Sequence, residues 1–240
     1  MTEKLSTEFD FSYLDRNYAE IKERIAAAAA ASGRQPEEIK LMAVTKTVAP
    51  PPINHMIALG VDLIGENKVQ ELLSKTDFLN TDGLQMHIIG HLQSNKVRKI
   101  IGIVSMIESV DSVELAREIS KRSILAGTTT DILLEVNVGR EEAKTGFDYD
   151  EALERASEIS ELENVRIRGF MAVPPICEGD EVRKYFAKMN TLYMDSKSKL
   201  GNGSLIDTLS LGMSADFEDA IKEGSTLVRV GSALFGARRY

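Results

Sequence analysis

The sequence is short of cysteine: Cys177 is the only one in 240 residues. No intrachain disulfide is possible, which suits a reducing cytoplasm. Basic charge is in deficit as well. Lys and Arg number 29 against 37 Asp and Glu, a formal net charge of −8, which removes the electrostatic grip on which nucleic-acid binding rests. There is no run of about 18 apolar residues, so no membrane span is expected. The stretch "IAAAAAAS" from Ile25 to Ser32 has the look of a signal core. It starts late, follows the charged "IKERI" and consists of alanine, the strongest helix former, so it reads as helix instead. No shift of composition marks a linker. With 43% hydrophobic residues the chain can bury a full core, and residues 11–240 are expected to form one domain behind a loose polar tail, residues 1–10.

What is present is alternation. Short apolar runs read as strands at Lys40–Thr45, Leu63–Gly65, Met86–Gly90, Met106–Val110, Ile132–Val138, Ile167–Val173, Thr208–Leu211 and Leu227–Val230. Between them lie amphipathic stretches such as "SVELAREISKRSILAG", with apolar positions three and four apart and Asp111 or Ser112 as its cap. A further helix, closed by Gly33, precedes the first strand. Continuous hydrophobic strands separated by helices imply a parallel sheet covered on its faces. Eight such units are the count of a TIM (β/α)8 barrel with an extra N-terminal helix, an α/β fold. The rival, a doubly wound open sheet, usually carries a G-x-G-x-x-G turn after its first strand, and here that turn is "TKTVAPPP".

In a barrel the C-terminal ends of the strands converge on the face where active sites form. The polar residues at those ends are Lys46, Glu66 and Asn67, His91, Asp111, Asn137, Ser214, and the group Arg229, Gly231 and Ser232. Polar loops commonly follow strands, which accounts for most of them. It accounts poorly for Lys46, at the exit of "LMAVT", and for Arg229, which interrupts "LVRV". An amine at a desolvated mouth shifts toward its neutral, nucleophilic form and can condense with a carbonyl; the plainer alternative is a lysine that snorkels or pairs with Glu66. After the last strand, the turn at Gly231-Ser232 can present backbone N–H groups as an anion cradle, the place where barrels often bind phosphate. Ser214 can reach the same place, cap the helix "SADFEDAIKEG", or do both. Arg229, two residues before Gly231, points into the same side of the barrel, either as a structural ion-pair partner or as a donor to a ligand.

Other reactive types carry less. His87 and His91 read as H-x-x-x-H, but four residues along a strand span about 13 Å, too far to share a metal ion. His55 is expected on a helix surface. Cys177 has no histidine near it in sequence and reads as an unreactive cysteine. Met171 reads as core or pocket wall.

Taken together, "AVTKT", "GENKVQE", "HIIGHLQSNK", "RGFMAV", "LSLGMSADFEDAI" and "STLVRVGSALFGAR" occur in an order that resembles the pyridoxal phosphate homeostasis proteins, the YggS/PROSC-like family. The resemblance runs from the first strand to the C-terminus. That family is similar to the barrel domain of bacterial alanine racemase, a fold-type III enzyme of pyridoxal 5'-phosphate (PLP). The resemblance implies that Lys46 holds PLP as an internal aldimine, that Ser214, Gly231 and Ser232 bind its phosphate, and that Arg229 faces the pyridine nitrogen. It places Asn67 and Met213 near the ring or phosphate. Two positions depart from the family pattern: Met86, where an aromatic residue is usual, and Lys68, where a tyrosine commonly follows "GEN"; both are expected to alter the rim or its packing.

The function implied is a cytoplasmic, monomeric carrier or buffer of PLP, with PLP-dependent apoenzymes as candidate recipients. The alternatives are a PLP-dependent amino-acid racemase and a cofactor-free lysine aldolase. Weak catalysis is expected. An arginine opposite the pyridine nitrogen would not hand over its proton, and the resemblance implies that a second, all-β domain carrying the opposing tyrosine does not follow Tyr240.

Overall fold

The computed structural model describes residues 10–200 and 205–236; the expected N-terminal tail, apart from Asp10, and Tyr240 lie outside the described residues. The chain opens with α1 (Ser12–Ala31) and a short 3-10 turn (Pro36–Glu38), then alternates. The order is β1 (Lys40–Val44), α2 (Pro50–Ala58), β2 (Leu63–Glu66), α3 (Val69–Thr76), β3 (Gln85–Ile88), α4 (Ser94–Val97), β4 (Met106–Val110) and α5 (Val113–Ala126). The second half runs β5 (Thr130–Asn137), β6 (Phe147–Asp148), α6 (Ala152–Ser160), β7 (Val165–Met171), α7 (Asp180–Lys199), β8 (Thr208–Ser210), α8 (Phe217–Lys222), β9 (Leu227–Val230) and α9 (Ser232–Phe235).

Every pairing is parallel, and β9 returns to β1, so β1-β2-β3-β4-β5-β7-β8-β9 closes into the expected eight-stranded barrel. The sequence did not signal β6, a two-residue strand paired to β5 outside the barrel; two residues carry no periodicity to read. All eight expected strands are found, with ends shifted by a few residues. Alternation along each strand divides the side chains into two sets. Met42, Val44, Leu63 and Leu227 form one cluster inside the barrel, and Met106, Leu133 and Met171 another. The outward set, with Ala43, Ile64, Met86, Ile88 and Ile107, joins the helices in the main core. Complete burial of each large apolar side chain is worth roughly 1.5–3 kcal/mol. Gly169 marks the tightest seam: its φ is +146° and a Cβ there would lie 1.8 Å from Thr208 O, so β7 and β8 cannot accept a side chain at this point.

Helix α1 buries Leu14, Ile21, Ile25, Ala28 and Ala29, a stripe at helical spacing. It also fastens the last βα unit. Arg24 donates from Nε and Nη2, one edge of its guanidinium, to the two carboxylate oxygens of Glu218 in α8 at 3.1 and 2.8 Å, and Asn17 Nδ2 donates to Leu234 O of α9 at 2.8 Å. The extra helix therefore braces the β9–α9 turn. Ser112 caps α5 as anticipated, its Oγ accepting from Leu115 N at 3.3 Å.

Candidate binding site

β1 ends at Val44, and the period of two carries its inward face on to Lys46 while Thr45 turns outward. The β1–β9 register pairs Ala43 with Val230, which brings the exit of β1 alongside Gly231. Lys46, Gly231 and Ser232 accordingly line one cavity of about 270 Å³, with Val44, Phe235 and Tyr13 of α1. Lys46 is half-buried in it.

The turn after β9 is tied across to the loop after β8. Ser214 Oγ accepts from Gly231 N and from Ala233 N, both at 3.2 Å. This corrects one expectation: Ser214 does not open the helix that follows it. That helix, α8, begins at Phe217, and Asp216 Oδ1 accepts from Met213 N at 2.6 Å. The hydroxyl serves the neighbouring turn rather than its own helix. Gly231, Ser232 and Ser214 are thus assembled as one polar edge, as the sequence led one to expect.

Arg229 is 4% exposed and points into the barrel. Its guanidinium donates to Ser210 O and Ser210 Oγ at 2.7 Å and to Ala172 O at 2.9 Å. Beneath it lies Glu108, fully buried, which accepts from Ser210 Oγ at 2.7 Å and from His87 Nδ1 at 2.6 Å. Burial alone pushes the Glu108 carboxyl up, but His87, Arg229 and Ser210 outweigh it and hold it below the usual carboxylate range. Burial lowers the Arg229 guanidinium from its ordinary value, opposed by Glu108, Asp216 and Glu135; starting so far above neutrality, it stays charged. Sequence reasoning missed this chain of buried groups. Its own criterion, a charge interrupting an apolar run, would have found Glu108 in "MIESV" as it found Arg229 in "LVRV".

Of the expected site residues, Lys46, Gly231 and Ser232 line the cavity; Ser214 meets it only through its bond to Gly231, and Arg229, Asn67 and Met213 are not among the lining residues. Asn67 lines a neighbouring groove of about 240 Å³ with Lys68, His91 and Lys96. Met213 is 39% exposed on the β8–α8 loop. Of the two departures from the family pattern, Lys68 is at the rim, whereas Met86 is packed between barrel and helices and affects packing alone. Glu66 is held by Lys75 of α3 and Thr45. His87 belongs to Glu108, His91 bonds Asp111 at 2.9 Å, and half-buried His55 bonds Asp15 from α2. No group of three metal-ligating side chains occurs among the described residues. Met171 is barrel core. Burial and nearby carboxylates push the Cys177 thiol up, away from a reactive thiolate. Among the described residues no helix is long and apolar enough to cross a membrane.

The donor set suits a ligand with a carbonyl at one end and an anion at the other. Lys46 offers an amine and the Ser214-linked turn offers the Ser232 hydroxyl at the cavity edge, while Arg229 is a buried cation of the barrel interior, outside the cavity lining. A closed parallel barrel bearing such a mouth defines a protein of the alanine racemase class, and the family model described as alanine racemase, N-terminal domain, matches residues 14–239. An alanine racemase of Clostridium difficile, 20% identical, superposes with a TM-score of 0.73 over 96% of this chain and 58% of its own, a likeness of fold. The chain belongs to the family of pyridoxal phosphate homeostasis proteins: one from Aquifex aeolicus is 43% identical over 92% of this chain and 96% of its own length. PipY of Synechococcus elongatus, solved with PLP bound, is 32% identical with a TM-score of 0.77, covering 90% of this chain and 100% of that one.

Proposed function

We propose that this chain binds PLP reversibly at the barrel mouth and takes part in cellular PLP homeostasis, as a cytoplasmic monomer that can pass the cofactor to apoenzymes. The observation that carries this reading is the shared cavity: Lys46 and the turn held by Ser214 face one space. PLP binding in PipY and the homeostasis names of the curated relatives support it. PLP supplies an aldehyde, a pyridine nitrogen and a phosphate. Lys46 is the amine that captures the aldehyde covalently. Gly231, Ser232 and Ser214 receive the phosphate, and Arg229 stands at the nitrogen. Asn67 and Met213 act from the rim at most.

The same reading makes the protein a poor catalyst. The Arg229 guanidinium donates hydrogen bonds but does not release a proton near neutrality, and a pyridine left unprotonated is a weaker electron sink. The deciding experiment is the visible spectrum of the purified protein before and after borohydride, with mass spectrometry of the modified peptide. A yellow protein that borohydride bleaches while fixing one cofactor on the Lys46 peptide is the expected result. A colourless protein that PLP does not colour would turn the assignment toward a cofactor-free lysine aldolase.

A further inference from the structure

Lys46 sits in a bracket built by a helix that does not line its cavity. Lys75 Nζ, on α3, donates to Thr45 O at 2.9 Å, to Glu66 Oε1 at 2.7 Å and to Glu71 Oε1 at 2.6 Å. Three ammonium protons meet three acceptors, so its donor capacity is used in full. The same two carboxylates reach both neighbours of Lys46, one through a side chain and one through the backbone. Glu66 Oε1 accepts from Thr45 Oγ1 at 2.8 Å, and Glu71 Oε1 accepts from Thr47 N. The centre of the cluster is dry, with Glu66 1% and Lys75 8% exposed.

The segment needs such a hold. Thr47 has φ +65°, a left-handed conformation that a β-branched residue adopts only under constraint, at a cost on the order of 1–3 kcal/mol. The bond from its N–H to Glu71 holds this conformation together with the turn bond from Val48 N to Thr45 O at 3.0 Å.

We propose that Lys75, together with Glu66 and Glu71, positions Lys46: the cluster fixes the backbone before and after it and so aims its amine into the cavity. The inference rests on the reading of Lys46 as the covalent amine. The cluster lies on the outer side of β1, with Thr45, and acts through Thr45 O, the Thr45 hydroxyl and Thr47 N, so these are positioning residues and touch no ligand. Its charge balance shows why a lysine is required. Two carboxylates share one ammonium, and Glu66 Oε2 has no hydrogen-bond partner. Burial pushes the Glu66 carboxyl up while Lys75 and Thr45 pull it down, so losing Lys75 would leave two carboxylates crowded in a dry site.

Three full-length variants test this: Lys75→Met, Lys75→Arg and Glu71→Ala, the last at a partly exposed position where folding is not at stake. Two quantities are read. One is amide exchange at Thr47 in the unloaded protein. The other is the rate at which free pyridoxal becomes borohydride-trappable on Lys46, followed by mass spectrometry; pyridoxal has no phosphate, so the Gly231 turn contributes little. Lys75→Met is expected to slow trapping about ten- to a hundredfold, the scale of a misplacement near 1 Å, and to release Thr47 exchange while β9 amides keep their protection. Glu71→Ala should do the same to a smaller extent, and Lys75→Arg should restore most of the trapping rate. A Glu71→Ala protein that keeps wild-type exchange at Thr47 and a wild-type trapping rate overturns the proposal, whether or not Lys75→Met folds. If wild-type protein traps no aldehyde at all, the cofactor reading fails, and Thr47 exchange still decides whether the cluster pins the segment.

Discussion

Ser214 and Gly231 are 17 residues apart in sequence and joined by a 3.2 Å hydrogen bond from the Gly231 N–H to the Ser214 hydroxyl. A second bond, from Ala233 N, ends on the same oxygen. One hydroxyl thus sets the separation of the last two loops of the barrel, and the cavity edge opposite Lys46 is as firm as that contact. The two residues act as a unit, so damage to either should be felt by the anionic end of a ligand.

Gly231→Ala tests that end. Gly231 has φ −120°, which alanine adopts, and an added Cβ would meet Val44 Cβ at 3.4 Å, an ordinary contact. The fold should survive. Val44 and Gly231 both line the cavity, so the new methyl intrudes where the phosphate is expected. The dissociation constant for PLP should rise about tenfold or more, a change of about 1.4 kcal/mol, and that for pyridoxal much less. Ser214→Ala should show the same preference. Equal losses for both ligands, measured by visible titration, would make Gly231 a packing position only.

Lys46→Ala should abolish the yellow colour and leave the melting temperature within roughly 2 °C of wild type, because a half-buried side chain at a cavity edge supplies little core volume. Stoichiometric fixation of cofactor at one site by borohydride in this variant would identify a different anchoring lysine.

Glu108→Gln probes the barrel interior. It removes the nearest countercharge from buried Arg229, at a cost of about 2 kcal/mol or more, or roughly 4–8 °C in melting temperature at pH 7. The pH dependence has a definite sign. The folded-state carboxyl is held below its usual range, so its contribution is complete above the unfolded value of about 4.3 and is lost as pH falls through the folded value. Thermal melts of the two proteins should therefore converge as pH drops below about 4. A gap that widens on acidification would contradict a charged Glu108.

Incubation with L-alanine and other amino acids in heavy water tests the catalytic claim. Proton NMR should show no sustained α-deuteration. Exchange at turnover near about 1 per second, the low end for enzymes, would promote the protein to an amino-acid racemase.

The barrel was legible because parallel strands buried on both faces must be apolar throughout, and eight such runs stand out against amphipathic helices. Lys46, Gly231 and Ser232 were legible for a related reason: each follows directly on a strand, and strand ends meet at one face. The hydroxyl of Ser214 was read correctly as a neighbour of that turn and wrongly as a helix opener, since its nearest acceptor and donor groups in sequence are not its nearest in space. Asn67, a strand-end residue, and Met213, brought in by resemblance, lie at a second groove and on an exposed loop. Glu108 and Ser210 escaped notice because their bond spans 102 residues, and neither alone signals a partner.

From the sequence alone it is determined that no intrachain disulfide staples the chain, that strands alternate with helices, and that Lys46 follows directly on the first strand. These follow from composition and from periods of 2 and 3.6, which are local properties. Only the tertiary structure decided which groups meet: Ser210 between Glu108 and Arg229, Ser214 under Gly231, and Lys75 against Thr45. Hydrogen bonds and ion pairs form only when heavy atoms come within about 3–4 Å. In a barrel those approaches are set by the register at which the sheet closes, here Ala43 against Val230, and no stretch of sequence carries that register by itself.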